Sequence, residues 1–331
     1  MGLSRRRLLG AAVGGLVLGG CRLRSAKSLV VYCAHDSLYA EPILERFSKS
    51  HGCVIYTKYD TEASKSLGLV SRLVAEKGSP QCDVFWNNEL LGTAALDAAG
   101  VLAELRAEQH ANAGSPSRWV SFAGRLRCVV STSQRSLSED SVDALLESAD
   151  QAMVAVAKPM FGTTLTQYCA WAEIWGLSSL INRHRSWVRN GLRIVDGNVQ
   201  VKDLVAAGGC QLGFTDSDDL FAARDAGSPL FAEPVRIGGR TICIPNTAAV
   251  IVGTEREELA QTLVAHLGSP EVELELARSP SRQVPLGDVD PEALPEEVRS
   301  LRDWARDSID VGSLRSIRAE VLNWLRQEYA S

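Results

Sequence analysis

Apolar and polar positions change period along this chain in a regular alternation. Ser28-Leu29-Val30-Val31-Tyr32-Cys33 is a short apolar, β-branched run and predicts a buried strand. In 39–49 the apolar residues Ile43, Leu44 and Phe47 follow helical spacing. Residues 53–59 predict a second strand. Residues 64–76 predict a second helix with Leu67, Val70, Leu73 and Val74 on one face, and Cys82-Asp83-Val84-Phe85-Trp86 predicts a third strand. Strand, helix, strand, helix, strand is a βαβαβ unit, which forms a parallel sheet. An open parallel sheet binds ligands beyond the carboxyl ends of its strands.

The middle of the chain repeats this grammar. Strands are predicted at 127–131, 153–157, 192–195 and 210–214. Gly162-Thr163-Thr164 opens a helix carrying Tyr168, Trp171 and Trp175, with Thr163 or Thr164 as its N-cap. Apolar runs at 241–245 and 248–252 predict a return to the first sheet, followed by helices at 257–267 and 269–277. Residues 279–295, rich in Pro, Ser and Gly, predict a loop. Residues 313–329 predict an amphipathic closing helix with Leu314, Ile317, Val321 and Trp324 inward.

The length of 331 residues allows two domains, and 45% hydrophobic content against 23% charged fits a well-cored globular chain. The N-terminus reads Ser4-Arg5-Arg6-Arg7-Leu8-Leu9, then an apolar Gly/Ala/Val/Leu run, then Leu18-Gly19-Gly20-Cys21. A charged start before an apolar stretch is the layout of an export signal. The paired arginines resemble the twin-arginine type, and Leu-x-Gly-Cys resembles the lipobox of bacterial lipoproteins. That resemblance implies that residues 1–20 are removed, that Cys21 carries lipid, and that 21–27 is a linker on the outer face of a membrane. A transmembrane anchor is disfavoured, because the run at 8–20 is shorter than the ~20 residues a spanning helix needs. Net charge is -5, and losing Arg5, Arg6 and Arg7 leaves 32 basic against 40 acidic residues. That balance argues against a general nucleic-acid binder.

None of the eight cysteines forms a Cys-x-x-Cys pair, so neither a zinc ribbon nor a thioredoxin motif is present. With Cys21 lipidated, seven remain. Their apolar contexts predict buried thiols, while export would permit one or two disulfides. Enzyme signatures are missing too: no Gly-x-Ser-x-Gly elbow, Walker loop, His-Glu-x-x-His or Gly-x-Gly-x-x-Gly.

Candidate chemistry gathers at strand ends. The first strand runs into His35, Asp36 and Tyr39, the second into Tyr59, Asp60 and Glu62, the third into Asn88 and Glu89. The strand near 214 runs into Asp216, Ser217, Asp218 and Asp219. Gly162, Thr163 and Thr164 stand at a helix N-terminus, where backbone N–H groups favour anions. Each cluster alone reads as a turn or a cap; five on one side of two sheets predict a binding cleft. Adjacent acids at 216–219 repel unless a cation or N–H groups neutralise them.

Five stretches carry a resemblance. They are Leu29 to Asp36, Cys82 to Trp86 with Gly100-Val101-Leu102, Ala157 to Thr164, Gly213 to Asp219, and Ile244 to Thr247. In these the chain resembles the periplasmic substrate-binding proteins of ABC importers, in the branch of the ferric-ion-binding proteins. The resemblance implies an α/β fold of two lobes, each a mostly parallel sheet flanked by helices. The lobes are joined by crossover strands and close on a ligand by a hinge. It implies lobe 1 at 28–126 plus 243–290 and lobe 2 at 127–242 plus 291–331. It also implies a monomer that delivers ligand to a membrane permease without catalysis. Ferric iron is the first ligand it implies, held by His35, Tyr39, Glu89, Asp218 and Asp219, since phenolate and carboxylate oxygens suit a hard cation. The family's tyrosine pair is replaced here by the run from Asp216 to Asp219. The same acidic cleft suits an organic cation or zwitterion, a polyamine or an aminophosphonate, with Thr163 and Thr164 seating the anionic end. An exported metal-dependent enzyme is the reading from another class.

Overall fold

The structure is a computed structural model and describes residues 27–60, 67–106, 118–133, 146 and 153–330. Cys21, the export-signal segment and Glu62 lie outside the described residues. The strands are β1 (Ser28–Cys33), β2 (Val54–Tyr59), β3 (Val84–Asn87), β4 (Val120–Ser131), β5 (Val154–Ala157), β6 (Arg193–Val195), β7 (Leu212–Asp216), β8 (Phe231–Pro234), β9 (Arg236–Ile237), β10 (Arg240–Thr241) and β11 (Cys243–Val250). The helices are α1 (Ser37–His51), α2 (Leu67–Ala75), α3 (Leu90–Ala98), α4 (Gly162–Trp175), α5 (Leu177–Arg189), α6 (Asn198–Ala206), α7 (Ser217–Asp225), α8 (Glu257–Leu267), α9 (Pro270–Arg278), α10 (Glu296–Ala305) and α11 (Arg315–Glu328).

One ordered path runs through the main sheet: β2-β1-β3-β11-β4-β7-β5-β6, with β8 also on β4. β1 lies between β2 and β3 in parallel, with Leu29 opposite Ile55 and Val31 opposite Val84. β5 lies parallel to β6 and β7. Between these two parallel groups stand β4 and β11, antiparallel to each other. The first half of β4 pairs with β11, and its second half pairs with β7 and β8. A single strand therefore belongs to both halves of the molecule. The strand expected at 127–131 starts seven residues earlier, at Val120, running on through Gly124 and Arg125, which interrupt the apolar pattern.

Helices cover both faces of each half. α1, α8 and α9 share a core with β1 and β11 through Ile43, Phe47, Leu263 and Leu276. α2 covers the opposite face with Leu69, Val70 and Leu73. There Leu69 takes the inward place expected of Val74, which is 45% exposed. In the other half α4, α5 and α11 form an aromatic layer of Tyr168, Trp171, Trp187 and Trp324, joined by Leu90 and Leu91 of α3. α6 and α7 cover the opposite face with Val201, Val205, Leu220 and Phe221. Gly213 lets α6 lie this close to β7, since a Cβ there would meet Val201 Cγ1 at 2.5 Å. All seven described cysteines are buried and stand outside any disulfide, and burial raises the thiol pKa at Cys33 and Cys128. Such thiols are inert. No described helix is long and apolar enough to cross a membrane.

The join between the halves is irregular. Ala123 of β4 has φ +36°, a left-handed value unusual for a residue with a Cβ. The facing β11 shifts register between Pro245 and Asn246. Buried Glu273 of α9 accepts from the N–H groups of Ala123 (2.7 Å), Leu286 (2.8 Å) and Gly287 (2.8 Å). Glu273→Ala would strand three donors beside the crossover, at about 1–3 kcal/mol for each buried unsatisfied group. We expect it to lower stability by about 3 kcal/mol, seen as a lower urea midpoint; an unchanged midpoint would show that water replaces the carboxylate at no cost.

Candidate functional site: a two-signed cleft

A cleft opens where the carboxyl ends of β1 and β3 face those of β5 and β7. It is lined by Asp36 and Asn88 from one half and Lys158, Phe161–Thr164, Gly197–Val199, Asp216, Asp218 and Asp219 from the other, with Arg125 of β4 between them. Its cavity volume is about 70 Å³.

Two arginines build its floor. On β4, positions two apart face the same side, so Arg125 and Arg127 project together. Arg127 is fully buried and lies directly across from Asp216 in the β4–β7 ladder. Its Nη1 donates to Asp216 Oδ1 at 2.8 Å and to Thr163 Oγ1 at 3.2 Å, and its Nε donates to Gln167 at 2.8 Å. Asp216 Oδ2 accepts from Thr163 Oγ1 at 2.6 Å and from Asn198 Nδ2 at 2.8 Å. Asp216 is thus spent inside the protein. Arg125 pairs with Asp218 at 3.3 Å and donates from Nη2 to Asn246 Oδ1 at 3.2 Å. Burial would depress its basicity, but Asp218, Asp216, Asp36 and Asp219 around it raise its pKa on balance.

Asp219 stands differently. Its Oδ2 accepts from the Thr215 hydroxyl at 2.6 Å and from the Asp216 N–H at 3.4 Å, holding the first turn of α7. Burial, with Asp218 and Asp216 beside it, pushes its carboxyl up to about 7. Asp216, Asp218 and Asp219 can bring one oxygen each within 4.8 Å of one another. Tyr39 is half-buried; burial and then Asp218, Asp36 and Asp219 push its hydroxyl up to about 12, so it is a neutral phenol.

Two expected metal ligands are occupied elsewhere. Glu89 caps α3, its Oε2 accepting from Leu91 N–H at 2.7 Å and Oε1 from Gly92 N–H at 2.6 Å. A buried helix start needs its orphan donors satisfied, and here this acid supplies the oxygens. Gly92 makes the room, because a Cβ there would lie 2.4 Å from Glu89 Oε1. His35 is buried with its Nε2 2.7 Å from Gln283 Nε2, its ring edge-on to Trp86 and Tyr39. Thr163 and Thr164 are not the N-cap of α4. Phe161 holds that place without a side-chain cap, and the threonine hydroxyls serve Asp216 and Asn198 from inside the first turn. Gly162 carries φ +59° at the turn into the helix.

The second strand end lies apart from the cleft: Asp60 accepts from the Leu69 N–H, and Tyr32 bonds Glu76 on that side. Asp36 and Asn88 are in the cleft. Arg125, Arg127, Lys158 and Asn198 were not singled out from the sequence. The usable signal was Arg125-Leu126-Arg127 inside an apolar run, since two buried charges on one strand face require carboxylate partners.

No protein-family model and no curated protein matches the chain. Solved structures do. Iron-bound HitA from Pseudomonas aeruginosa superposes with a TM-score of 0.76 at 19% identity, covering 91% of this chain and 98% of that one. Apo ferric ion-binding protein A from Pasteurella haemolytica gives 0.77 at 16%, covering 91% and 97%. The periplasmic binding protein AfuA from Actinobacillus pleuropneumoniae, with fructose-6-phosphate bound, gives 0.73 at 16%, covering 91% and 98%. The fold is that of the two-lobed periplasmic binding proteins, and its structural neighbours include ferric-iron-binding proteins, as the sequence resemblance implied.

Asp219 gives a pH test. A carboxyl whose pKa rises from 3.8 to about 7 on folding binds its proton more tightly in the folded chain. Its contribution to stability is full below pH ~4 and is lost as pH rises through ~7. Asp219→Asn should flatten the fall of the urea midpoint between pH 5 and 7.5, and an equal slope in both proteins would show that Asp219 titrates normally.

Proposed function

We propose that this chain is an extracytoplasmic solute-binding protein, lipid-anchored through Cys21, that acts as a monomer and hands a small ligand to an ABC permease. The two-lobed fold supports this, as do structural neighbours that are periplasmic binding proteins rather than enzymes. The twin-arginine-like start and the lipobox at Cys21 supply the location. The ligand reading that the geometry favours is a small organic cation or zwitterion. One observation carries it: Arg127 neutralises Asp216 and Arg125 pairs with Asp218, so the acidic run is not an open cage for a trivalent ion. Within it, the binding residues are Asp36, Tyr39, Asn88, Asp218 and Asp219 at the acidic end, and Gly162, Thr163 and Thr164 at the helix start.

Ferric iron is the second reading. It is favoured by the close approach of the three carboxylates, by Tyr39 nearby, and by the iron-bound neighbour. Ligation would then rest on Tyr39, Asp218 and Asp219, with His35 and Glu89 leaving their present partners. A metal-dependent enzyme has the least support, since the histidine nearest the cleft is held against Gln283.

A thermal-shift titration with ferric citrate, divalent cations, spermidine and 2-aminoethylphosphonate tests this. Ligand at 100 times its dissociation constant adds about 2.7 kcal/mol. We expect a shift with an organic ligand and none with iron. A shift with ferric citrate, together with a visible phenolate–iron band, would reinstate iron. Asp219→Ala should weaken whichever ligand binds by about tenfold, the loss of one charge-assisted hydrogen bond.

A further inference from the structure

Two residues that line the cleft each carry a buried polar atom without a hydrogen-bond partner, one an acceptor and one a donor. Asn88 is 6% exposed, and its Oδ1 has no hydrogen-bond partner. Arg125 is 5% exposed, and its Nε has none. Both residues line the cleft. Buried polar atoms are paired almost everywhere in folded proteins, so an unpaired one at a binding cleft marks a place that a bound group completes. The two atoms require opposite partners: Asn88 Oδ1 accepts and needs a donor, whereas Arg125 Nε–H donates and needs an acceptor.

The surrounding charges divide in the same sense. Asp36, Asp218 and Asp219 crowd Tyr39. Across from them the first turns of α4 and α6 open into the cleft, and neither helix has a side-chain N-cap; Lys158 lines the same wall, with its ammonium 5.0 Å from the Tyr329 ring centre. A bare cation would answer the acids and Asn88 but leave Arg125 Nε without an acceptor. A bare oxyanion would answer Arg125 but face the carboxylates.

We infer that the cleft takes a small molecule carrying both an amine and an oxyanion, the ammonium donating to Asn88 Oδ1 near the acids and the oxyanion accepting from Arg125 Nε. This rests on the solute-binding reading and narrows its ligand class. Phosphonate, phosphate ester and carboxylate share the required oxyanion, and the choice among them falls to experiment.

Calorimetric titration of the full chain with 2-aminoethylphosphonate, β-alanine, ethylphosphonate, putrescine and ferric citrate decides it. At least one of the two zwitterions should bind at least tenfold more tightly than ethylphosphonate, putrescine or ferric citrate. Asn88→Ala and Arg125→Lys should each weaken that binding about tenfold or more, corresponding to one lost hydrogen bond to a charged group. Arg125 also pairs with Asp218, so the ligand series on the unaltered chain stands as the test even where the lysine variant folds poorly. Tightest binding of putrescine, ethylphosphonate or ferric citrate would overturn the zwitterion and leave the solute-binding reading intact. Binding of none of the five would overturn both, so the two failures are distinguishable.

Discussion

Everything around the cleft depends on two guanidinium groups buried on one strand. Arg125 and Arg127 lie two residues apart on β4, so the pleat sends both to the same side, into the middle of the protein. A buried charge without a partner is untenable, and removing one partner of a buried pair costs about 3–5 kcal/mol. The carboxylates of Asp216 and Asp218 meet that demand at the end of β7 and the start of α7. The dependence is mutual, because an acidic run packed at a helix start would otherwise repel itself. The ladder that sets Arg127 directly across from Asp216 is therefore both a structural register and an electrostatic one.

From that pairing follows the character of the site. Asp216 is closed off by Arg127, Thr163 and Asn198, leaving Asp218 and Asp219 to face the opening. The same contacts tie the first turn of α4 and the first turn of α6 to the end of β7. The first turns of two helices thus converge beside the end of β7, and a helix N-terminus is a natural seat for negative charge. The acids and Tyr39 stand beside that seat. The result is a pocket of both signs, and each sign is held by the other.

The crossover adds a mechanical side. Arg125 sits on the strand shared by the two halves, bonded to Asp218 of one and to Asn246 of β11. Asn246 in turn donates to Gln283, which contacts His35 at the end of β1. A hydrogen-bonded chain therefore runs from the first lobe through the crossover to the acidic cluster. It passes beside the left-handed Ala123 and the register shift in β11, where the backbone departs most from regular geometry. A ligand that engages Arg125 would press on the same strand about which the lobes would turn.

How much of this was readable in advance depends on the range of the forces involved. The βαβαβ order of β1 to β3 and the buried faces of α1 and α11 are local consequences of side-chain spacing, and they were predicted correctly; α3, α5, α6, α7 and α10 were not read from the sequence, and the two strands expected at 241–245 and 248–252 are one continuous β11. The gathering of Asp36, Asn88, Gly162 and Asp216 to Asp219 at strand ends also followed from the sequence, because a parallel sheet puts all its carboxyl ends on one side. The partners of those groups did not. Glu89 looks like a ligand in one dimension, yet in three it satisfies the N–H groups of its own helix. Thr163 looks like a cap, yet its hydroxyl is taken by an acid fifty-three residues away. Arg125 and Arg127 read as interruptions of a strand until β7 and α7 are folded against them. The sequence by itself determined the order of the first elements and the side of the sheet on which chemistry collects. Only the tertiary structure decided which charges cancel and which remain to meet a ligand, because pairing between distant groups depends on distances of a few ångströms that no local pattern records.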